Sequence, residues 1–263
     1  MDAVVTPQPA ALEQVASDEP YLSVVVPAYN EQARLPATLA TTERFLSAAG
    51  LSHEILVVDD GSTDDTAAVV RAASARNPRI RLIVNPHRGK GYAVRTGALA
   101  ARGPVVLFCD ADLSAPVEEM ARFPTLLDAQ HQIVIASREG QGARRIGEPL
   151  YRHIMGRVFN FGVRLIAVPG IQDTQAGFKA FTRAAAKDLF SRQTIDGFGF
   201  DVELLYLARK LGYGIREAQV RWEHKGLSRV DPIRDTVRMV RDLLRVRWND
   251  LRGRYDERSA RDA

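Results

Sequence analysis

The chain has 263 residues, of which 46% are hydrophobic and 26% charged, a composition that excludes disordered, collagen-like and coiled-coil proteins. A single cysteine, Cys109, excludes a disulfide framework and a cysteine-based zinc site, and it fits a reducing compartment. No stretch of 18 uncharged apolar residues is present, so the sequence predicts no membrane-spanning helix. Residues 1–20 contain no apolar run and therefore do not resemble a secretory signal.

The net charge of +4 is concentrated at one end of the chain. From Arg221 onward there are 12 Lys and Arg against 8 Asp and Glu, whereas the preceding residues contain 24 of each sign. This asymmetry predicts an anionic partner, either a membrane surface or a nucleic acid.

Strands and helices alternate through the first half of the chain. The pattern predicts five strands, over Leu22–Pro27, His53–Asp59, Ile80–Asn85, Pro104–Cys109 and Gln132–Ala136. A helix is predicted after each of the first four strands. The first helix has Leu35, Leu39, Thr42 and Leu46 on one face, and the third and fourth cover Lys90–Arg102 and Pro116–Gln130. Such alternation predicts an α/β fold with a mainly parallel sheet covered on both faces by helices. Ligands of these sheets bind at the edge where the strands end.

The second half of the chain is less regular. The pattern predicts a helix over Leu150–Val168, strands over Gly177–Phe181 and Tyr213–Trp222, a helix over Asp201–Leu211 and a last helix from Pro232 to about Leu251. We therefore expect a flexible tail over residues 1–20, one folded domain over residues 21–231, and a C-terminal amphipathic helix with a tail over residues 232–263.

Acidic and polar residues follow three of the predicted strands. These clusters are Pro27-Ala28-Tyr29-Asn30-Glu31, Asp59-Asp60-Gly61-Ser62 and Asp110-Ala111-Asp112. Carboxylates two residues apart at the end of a strand can face one divalent cation bound to a diphosphate, and oxygen ligands suit Mg²⁺ or Mn²⁺. Any one cluster can be an ordinary acidic turn, but three at the same edge favour a binding site.

Four segments in this order, VVVPAYNE, VVDDGSTDDT, RGKGYAVRTGA and FCDADLS, resemble family 2 glycosyltransferases of the GT-A fold. The segments IASRE, DTQAGFKAF and W-E-H-x-x-x-S-R are similar to dolichyl-phosphate glucosyltransferases and their bacterial polyprenyl-phosphate relatives. The resemblance covers about residues 21–252. It implies an inverting transfer of a sugar from a nucleotide donor, usually UDP-glucose or GDP-mannose, onto a polyprenyl phosphate.

The resemblance also implies roles for individual donor-side residues. The positions that hold the nucleoside correspond to Pro27, Tyr29, Glu31 and Asp59. The metal and diphosphate motif corresponds to Asp110, Ala111 and Asp112, with the two aspartates as metal ligands. Related mannosyl enzymes often have Gln where Ser114 stands, which leaves a third metal ligand open, and His224 is a further candidate.

Phosphate-binding and transfer residues follow from the same resemblance. Asp173 corresponds to a position beside the site of sugar transfer, and Arg138, Arg152, Ser228 and Arg229 correspond to positions that hold phosphates. The sequence itself adds Lys90, because it begins a predicted helix after glycine, where a donor diphosphate can bind. We expect Asp110, Asp112, Asp173 and Arg138 to be the catalytic residues.

A phosphate acceptor changes what the site must supply. A phosphate monoester carries about −1.5 to −2 charges near pH 7, so it needs no general base to remove a proton. The difficulty is to bring two anions together, and the guanidinium fork of arginine suits this because it binds phosphate oxygens in pairs and stays charged. Arg144 and Arg145, which lie close to Arg138 and Arg152 in sequence, fit this role and a solvated loop equally well.

The last predicted helix has an apolar stripe bordered by a basic one. The apolar stripe consists of Ile233, Val237, Val240, Leu244, Trp248 and Leu251, and the basic stripe of Arg234, Arg238, Arg241, Arg245 and Arg252. This pattern predicts a helix lying on an anionic lipid surface. An ordinary helix packed on the core is an equal alternative, because Asp235, Asp242 and Asp250 dilute the positive charge.

The combined expectation is a metal-dependent hexosyltransferase that transfers glucose from UDP-glucose to a polyprenyl or dolichyl phosphate. It would work with Mg²⁺ or Mn²⁺ on the cytoplasmic face of an anionic membrane, without nucleic acid. Three alternatives stay open: a soluble acceptor such as a phosphorylated acid or a glycan, GDP-mannose as the donor, and a non-catalytic module that binds a nucleotide sugar or nucleic acid. Against nucleic acid, the basic tail contains few aromatic residues and the acidic clusters would repel it.

Overall fold

The computed structural model describes residues 19–140, 142, 144–146, 168, 170–223 and 232–256. The helix predicted over Leu150–Val168 lies almost entirely outside these residues. The same holds for the predicted site residues Arg152, Ser228 and Arg229 and for His224.

Nine strands and seven helices make up the described part of the chain. They are β1 (Leu22–Ala28), α1 (Leu35–Ala48), β2 (His53–Asp59), α2 (Thr66–Arg76), β3 (Ile80–Val84), α3 (Lys90–Ala100), β4 (Val105–Cys109), α4 (Glu119–Thr125), β5 (Ile133–Ser137), β6 (Arg144–Ile146), β7 (Phe178–Thr182), α5 (Arg183–Arg192), α6 (Phe200–Lys210), β8 (Ile215–Gln219), β9 (Arg221–Glu223) and α7 (Pro232–Leu251).

Seven strands form one sheet in the order β3-β2-β1-β4-β7-β5-β8, and β6 pairs with β9 in a small separate sheet. The large sheet is mainly parallel, as predicted; only β7 runs antiparallel to both of its neighbours. Cys109 at the end of β4 therefore lies opposite Phe178 at the start of β7. As a result, the residues that precede β7 share the edge where β1, β2, β4 and β5 end.

Alternate residues of the central strands face two hydrophobic clusters, one on each side of the sheet. Val25 and Phe108 belong to the cluster that α3, α5 and α6 cover, whereas Val24 and Leu107 belong to the cluster that α1 and α4 cover. Because both faces of the strands are buried, the strand sequences are almost continuously apolar. The prediction of a sheet with helices on both faces is thus confirmed.

Some predicted elements have different bounds in the structure. The helix expected over Pro116–Gln130 is formed only over Glu119–Thr125 and contains Pro124, which lacks the N–H that a longer helix would use. The single strand expected over Tyr213–Trp222 is two strands, β8 and β9, which belong to different sheets. Helix α5, which the pattern did not predict, is capped by Thr182, whose side chain accepts a hydrogen bond from the Ala185 N–H.

Candidate active site

The loops after β1 and β2 are joined by hydrogen bonds between backbone and side chain. The Asn30 N–H donates to Ser62 Oγ at 2.8 Å, and Asn30 Oδ1 accepts from the Thr63 N–H at 2.7 Å. Asn30 has a φ of 54°, a left-handed conformation that asparagine tolerates better than most residues. Asp59, only 2% exposed, accepts from both the N–H and the hydroxyl of Ser62. Buried Asp59 therefore supports the turn that follows β2.

The buried carboxylate of Asp60 fixes the loop between β3 and α3. It accepts the Arg88 N–H at 3.0 Å and the Gly89 N–H at 2.9 Å, and it lies 2.8 Å from His87 Nδ1. The Tyr29 ring stacks on the His87 ring with centroids 4.2 Å apart and planes 22° from parallel. The pattern gave no role to Asp60 or His87, although Asp60 lies in the second acidic cluster. Their partners come from loops that are distant in sequence.

The predicted Asp-Ala-Asp motif forms the turn directly after β4. The Asp110 N–H donates to the Gly177 carbonyl at 3.1 Å, so the segment before β7 supports this turn. A Cβ on Gly177 would lie 2.0 Å from Asp110 Oδ2, so any other residue there would displace the Asp110 side chain. The Ala111 carbonyl accepts from Thr38 Oγ1 at 2.6 Å, and Asp112 Oδ1 accepts the Ser114 N–H at 2.9 Å.

Lys90, the first residue of α3, forms an ion pair with Asp110; its Nζ lies 2.5 Å from Oδ1. Burial opposes the charge of Lys90, but the neighbouring carboxylates Asp110, Asp201 and Asp112 raise its pKa, so the ammonium stays protonated. The structure thus brings Lys90 to the Asp-Ala-Asp turn. Contact between Lys90 and a donor diphosphate stays a prediction.

A second, fully buried ion pair lies behind Lys90. Lys179 Nζ, on β7, lies 2.6 Å from Asp201 Oδ1 on α6 and donates to the Ala176 carbonyl at 2.7 Å. Burial raises the pKa of Asp201 above its usual value, and the ammonium groups of Lys179 and Lys90 offset only part of this shift. Sequence reasoning missed this pair. The available signals were a lysine inside the apolar strand GFKAF and an aspartate at the start of an apolar helix.

Arg138 and Asp173, both predicted as catalytic, form one bidentate ion pair. The Asp173 carboxylate accepts from Arg138 Nε at 2.7 Å, from Nη2 at 2.9 Å and from the backbone N–H at 3.0 Å. Burial disfavours the charged form of Asp173, but Arg138 outweighs it and holds the pKa of Asp173 well below its usual range. The Arg138 guanidinium also lies 5.2 Å from the centroid of the Trp222 ring. Asp173 therefore fixes the orientation of Arg138.

A cavity of about 1140 Å³ opens beside Asp112. Its described charged lining consists of Glu31, Asp64, Asp112, Glu118 and Glu223 with Arg34 and Arg221. The excess of carboxylates makes this opening suitable for a cation or for neutral hydroxyl groups, and unfavourable for an anion.

The two aspartates of the turn fit a divalent cation. Among the described residues no group of three His, Cys, Asp or Glu could hold a metal by itself. Mg²⁺ in phosphate-transfer sites is commonly bound by one or two carboxylates together with substrate phosphates and water, so Asp110 and Asp112 supply a sufficient protein share.

Other predicted residues lie on the same edge or nearby. Pro27 is within β1 and lies opposite Val58 of β2, one residue before the strand ends. Arg144 and Arg145 are in strand β6, which pairs with β9, so their backbone forms a strand and not the loop of the alternative. Their predicted contact with phosphate stays a prediction.

Helix α7 packs on the body through a face that does not contain the described members of the predicted apolar stripe. Leu243 and Val246 are buried, whereas Leu244 and Trp248 are 58% and 55% exposed. Val240 and Leu251 are exposed as well. The helix therefore packs on the core, as the alternative expects, but through residues outside the described part of the predicted stripe. In the described part of the chain, no helix combines the length and the apolar character needed to cross a membrane.

Two acidic residues of α7, Asp242 and Asp250, face the body of the protein. Asp250 accepts hydrogen bonds from the Tyr206 hydroxyl and from Lys210 Nζ, and Asp242 packs against Gly199. On the outer side, the Arg252 guanidinium lies 4.4 Å from the Trp248 ring centroid. The dilution of positive charge expected from Asp242 and Asp250 is therefore reduced on the exposed face.

The sheet order, with an Asp-Ala-Asp turn at the end of its fourth strand, defines the GT-A class of glycosyltransferase fold. Glucosyl-3-phosphoglycerate synthase from Mycobacterium tuberculosis, crystallised with Mn²⁺, UDP-glucose and phosphoglyceric acid, shares the fold at 22% identity with a TM-score of 0.60, covering 92% of this chain and 82% of its own.

Residues 23–190 match the sequence pattern of glycosyl transferase family 2, and the chain belongs to this family. The dolichyl-phosphate beta-glucosyltransferase of Dictyostelium discoideum is 37% identical over 250 residues, which cover 90% of this chain and 76% of the relative. The Homo sapiens protein of the same name is 36% identical over 249 residues, covering 89% of this chain and 77% of the relative.

Proposed function

We propose that this protein transfers glucose from UDP-glucose to a polyprenyl or dolichyl phosphate with inversion at the anomeric carbon. The observation that carries the proposal is that one sheet edge holds both the Asp110–Asp112 turn and the Arg138–Asp173 ion pair. A phosphate oxygen of the acceptor would attack C1 of glucose while the bond from C1 to the diphosphate oxygen breaks and UDP leaves. The names of the 36–37% identical relatives support this glucose and this class of acceptor.

The donor is proposed to bind over the loops after β1 to β4. The stacked rings of Tyr29 and His87 offer a flat surface against which a nucleobase would stack. Pro27, Glu31 and Asp59 would shape the nucleoside pocket, with Asp59 acting through the turn that it supports. Lys90 and the Ala111 segment would contact the diphosphate.

Asp110 and Asp112 are proposed to hold Mg²⁺ or Mn²⁺. When bound, the cation would offset the negative charge that develops on the leaving diphosphate. A neighbour of the same fold, crystallised with Mn²⁺ and UDP-glucose, supports the proposal of a divalent cation.

The acceptor phosphate is proposed to approach from the Arg138 side of the edge. The guanidinium of Arg138, held in place by Asp173, would attract the phosphate, which needs no general base because it is already ionised. Arg152, Ser228 and Arg229 remain predicted phosphate ligands. The carboxylate-rich lining of the cavity beside Asp112 disfavours the same anion there.

Helix α7 is proposed to contact the cytoplasmic face of an anionic membrane. Its outer face presents Val240, Leu244, Trp248 and Leu251, bordered by exposed arginines, and Phe198 is a further exposed apolar residue in the loop that α7 packs against. Apolar area together with positive charge is what an interfacial helix requires. The single cysteine supports a reducing compartment.

A panel of donors and acceptors tests the reaction. The purified protein is incubated with Mg²⁺ or Mn²⁺, with UDP-glucose, GDP-mannose or UDP-galactose, and with either a short polyprenyl phosphate or 3-phosphoglycerate; products are identified by mass spectrometry. We expect a chelator-sensitive glucosyl lipid phosphate only from UDP-glucose. Glucosylation of the soluble acceptor alone, or transfer from GDP-mannose alone, would refute the proposal.

Membrane contact is tested by vesicle sedimentation. We expect binding to vesicles that contain phosphatidylglycerol, weaker binding to pure phosphatidylcholine, and loss of most binding in the Leu244→Gln, Trp248→Gln double variant. Val84→Gln is the matched control, because Val84 is 54% exposed on the edge strand β3, outside helix α7. Equal binding of both variants would contradict a role for the helix.

A further inference from the structure

Asp110 has little freedom to receive a cation in the arrangement that the structure shows. Its Oδ1 lies 2.5 Å from Lys90 Nζ, and its Oδ2 is packed against Gly177, where a Cβ would come within 2.0 Å. The side chains of Lys90 and Asp110 are only 20% and 28% exposed, so solvent screens their attraction weakly. A cation that binds Asp110 must therefore compete with the Lys90 ammonium.

Lys90 also has a second carboxylate behind it. Asp201 interacts electrostatically with Lys90 and is itself paired with buried Lys179 at 2.6 Å. The charges alternate in the order Lys179, Asp201, Lys90 and Asp110. When Asp110 turns to a cation, Asp201 continues to stabilise the ammonium, which lowers the cost of breaking the Lys90–Asp110 pair.

From this geometry we infer that Lys90 is an internal counter-ion that occupies Asp110 until a nucleoside diphosphate draws it away, so that cation and nucleotide binding are coupled through this one ammonium. The inference rests on the proposed function, because it assigns the diphosphate of the donor to this edge. Without nucleotide, the cation meets an already neutralised carboxylate and binds weakly. With nucleotide, the diphosphate oxygens accept Lys90 and leave Asp110 to the cation. Because coupling is reciprocal, each ligand strengthens the binding of the other.

The experiment measures free Mn²⁺ by electron paramagnetic resonance and UDP by calorimetry, each with and without the other ligand. Lys90→Met removes the charge and keeps much of the side-chain length. Compared with wild type, we expect it to bind Mn²⁺ about tenfold more tightly without UDP, and UDP about tenfold more weakly without metal. Lys90→Arg keeps the charge and should resemble the wild type in both measurements.

Lys187→Met is the matched control, since Lys187 is exposed on α5, and it should change neither affinity. Thermal melting shows that each variant is folded. Mn²⁺ binding by folded Lys90→Met that equals or falls below that of wild type overturns the inference, because a merely structural lysine would give that result. Tighter Mn²⁺ binding without any binding of UDP to the wild type would support the competition at Asp110 while refuting the coupling and the proposed donor.

Discussion

The donor-side edge and helix α7 both present charged side chains, but they hold them in different ways. At the edge, Asp60 accepts two backbone N–H groups and Asp59 accepts both polar groups of Ser62, so the carboxylates are fixed by directional hydrogen bonds. On α7, exposed arginines and apolar residues such as Trp248 cover an outward face. Binding at the edge should therefore depend on the exact positions of individual side chains. Binding by α7 should depend on the total apolar area and positive charge of its outer face.

The carboxylates within the edge also divide into two groups. Asp59, Asp60 and Asp173 are buried, and each accepts backbone N–H groups, so they support loops or orient a neighbour. Asp110 and Asp112 are partly exposed at the turn after β4. Substitutions in the first group should therefore act mainly on stability and those in the second mainly on turnover.

The largest effect is expected from Asp112→Asn. The amide oxygen can still accept the Ser114 N–H, so the turn should remain folded, but the charge that would hold the cation is lost. We expect kcat to fall about 1,000-fold, with the free energy of unfolding changed by less than about 0.5 kcal/mol. Initial rates of glucosyl lipid formation and urea unfolding measure the two quantities.

Glu118→Gln is the control for this variant, because Glu118 lines the same cavity and is exposed. Its rate should equal that of wild type. A comparable loss of rate in both variants would show that the total negative charge of the cavity matters rather than the position of Asp112. The edge would then depend on overall charge, as is proposed for the surface of α7.

The next effect is expected from Asp173→Asn, which leaves the Arg138 guanidinium without its buried counter-charge. We expect the free energy of unfolding at pH 7 to fall by about 3 kcal/mol, measured by urea unfolding. Asp128→Asn is the control, because Asp128 forms an exposed ion pair with Arg216 at 2.9 Å. The amide oxygen of the variant can still accept the Gln130 and His131 N–H groups, so the free energy of unfolding should fall much less than in Asp173→Asn.

The same pair predicts a pH dependence. Since Arg138 lowers the pKa of Asp173 in the folded state, the stabilisation is fully present above the unfolded pKa of about 4 and is lost as the pH falls further toward the lowered folded pKa. The free energy of unfolding of the wild type should exceed that of Asp173→Asn by a constant amount from pH 8 to pH 5, and by less below about pH 4. A difference that shrinks between pH 8 and pH 5 would contradict this sign.

Much of the fold could be predicted from local pattern, because buried strands and amphipathic helices alternate regularly from β1 to β5. The antiparallel direction of β7 could not, since the direction in which a strand enters a sheet is set by tertiary packing. That direction matters for the site: it brings Gly177 against Asp110 and Asp173 beside Arg138.

The candidate site could be predicted as motifs but not as contacts. Asp110, Asp112 and Arg138 follow strands, so their edge was predictable. Their charged partners, Lys90 for Asp110 and Asp173 for Arg138, lie tens of residues away in sequence and meet them only in the folded chain. In α7 the apolar stripe was predictable, but the buried face was not, because Leu243 and Leu244 are both leucines and only packing tells them apart.

Those two leucines give the smallest and most direct test of α7. Leu243 is 4% exposed and belongs to the cluster that includes Phe200, whereas Leu244 is 58% exposed. Leu243→Ala should lower the free energy of unfolding by about 2–3 kcal/mol because it opens a cavity, and it should leave vesicle binding unchanged. Leu244→Ala should change stability by less than about 0.5 kcal/mol and weaken vesicle binding. Urea unfolding measures the stability of both variants, and vesicle sedimentation measures their membrane binding. The reverse pattern would mean that the apolar stripe faces the core after all, and α7 would then be a packing helix without a membrane surface.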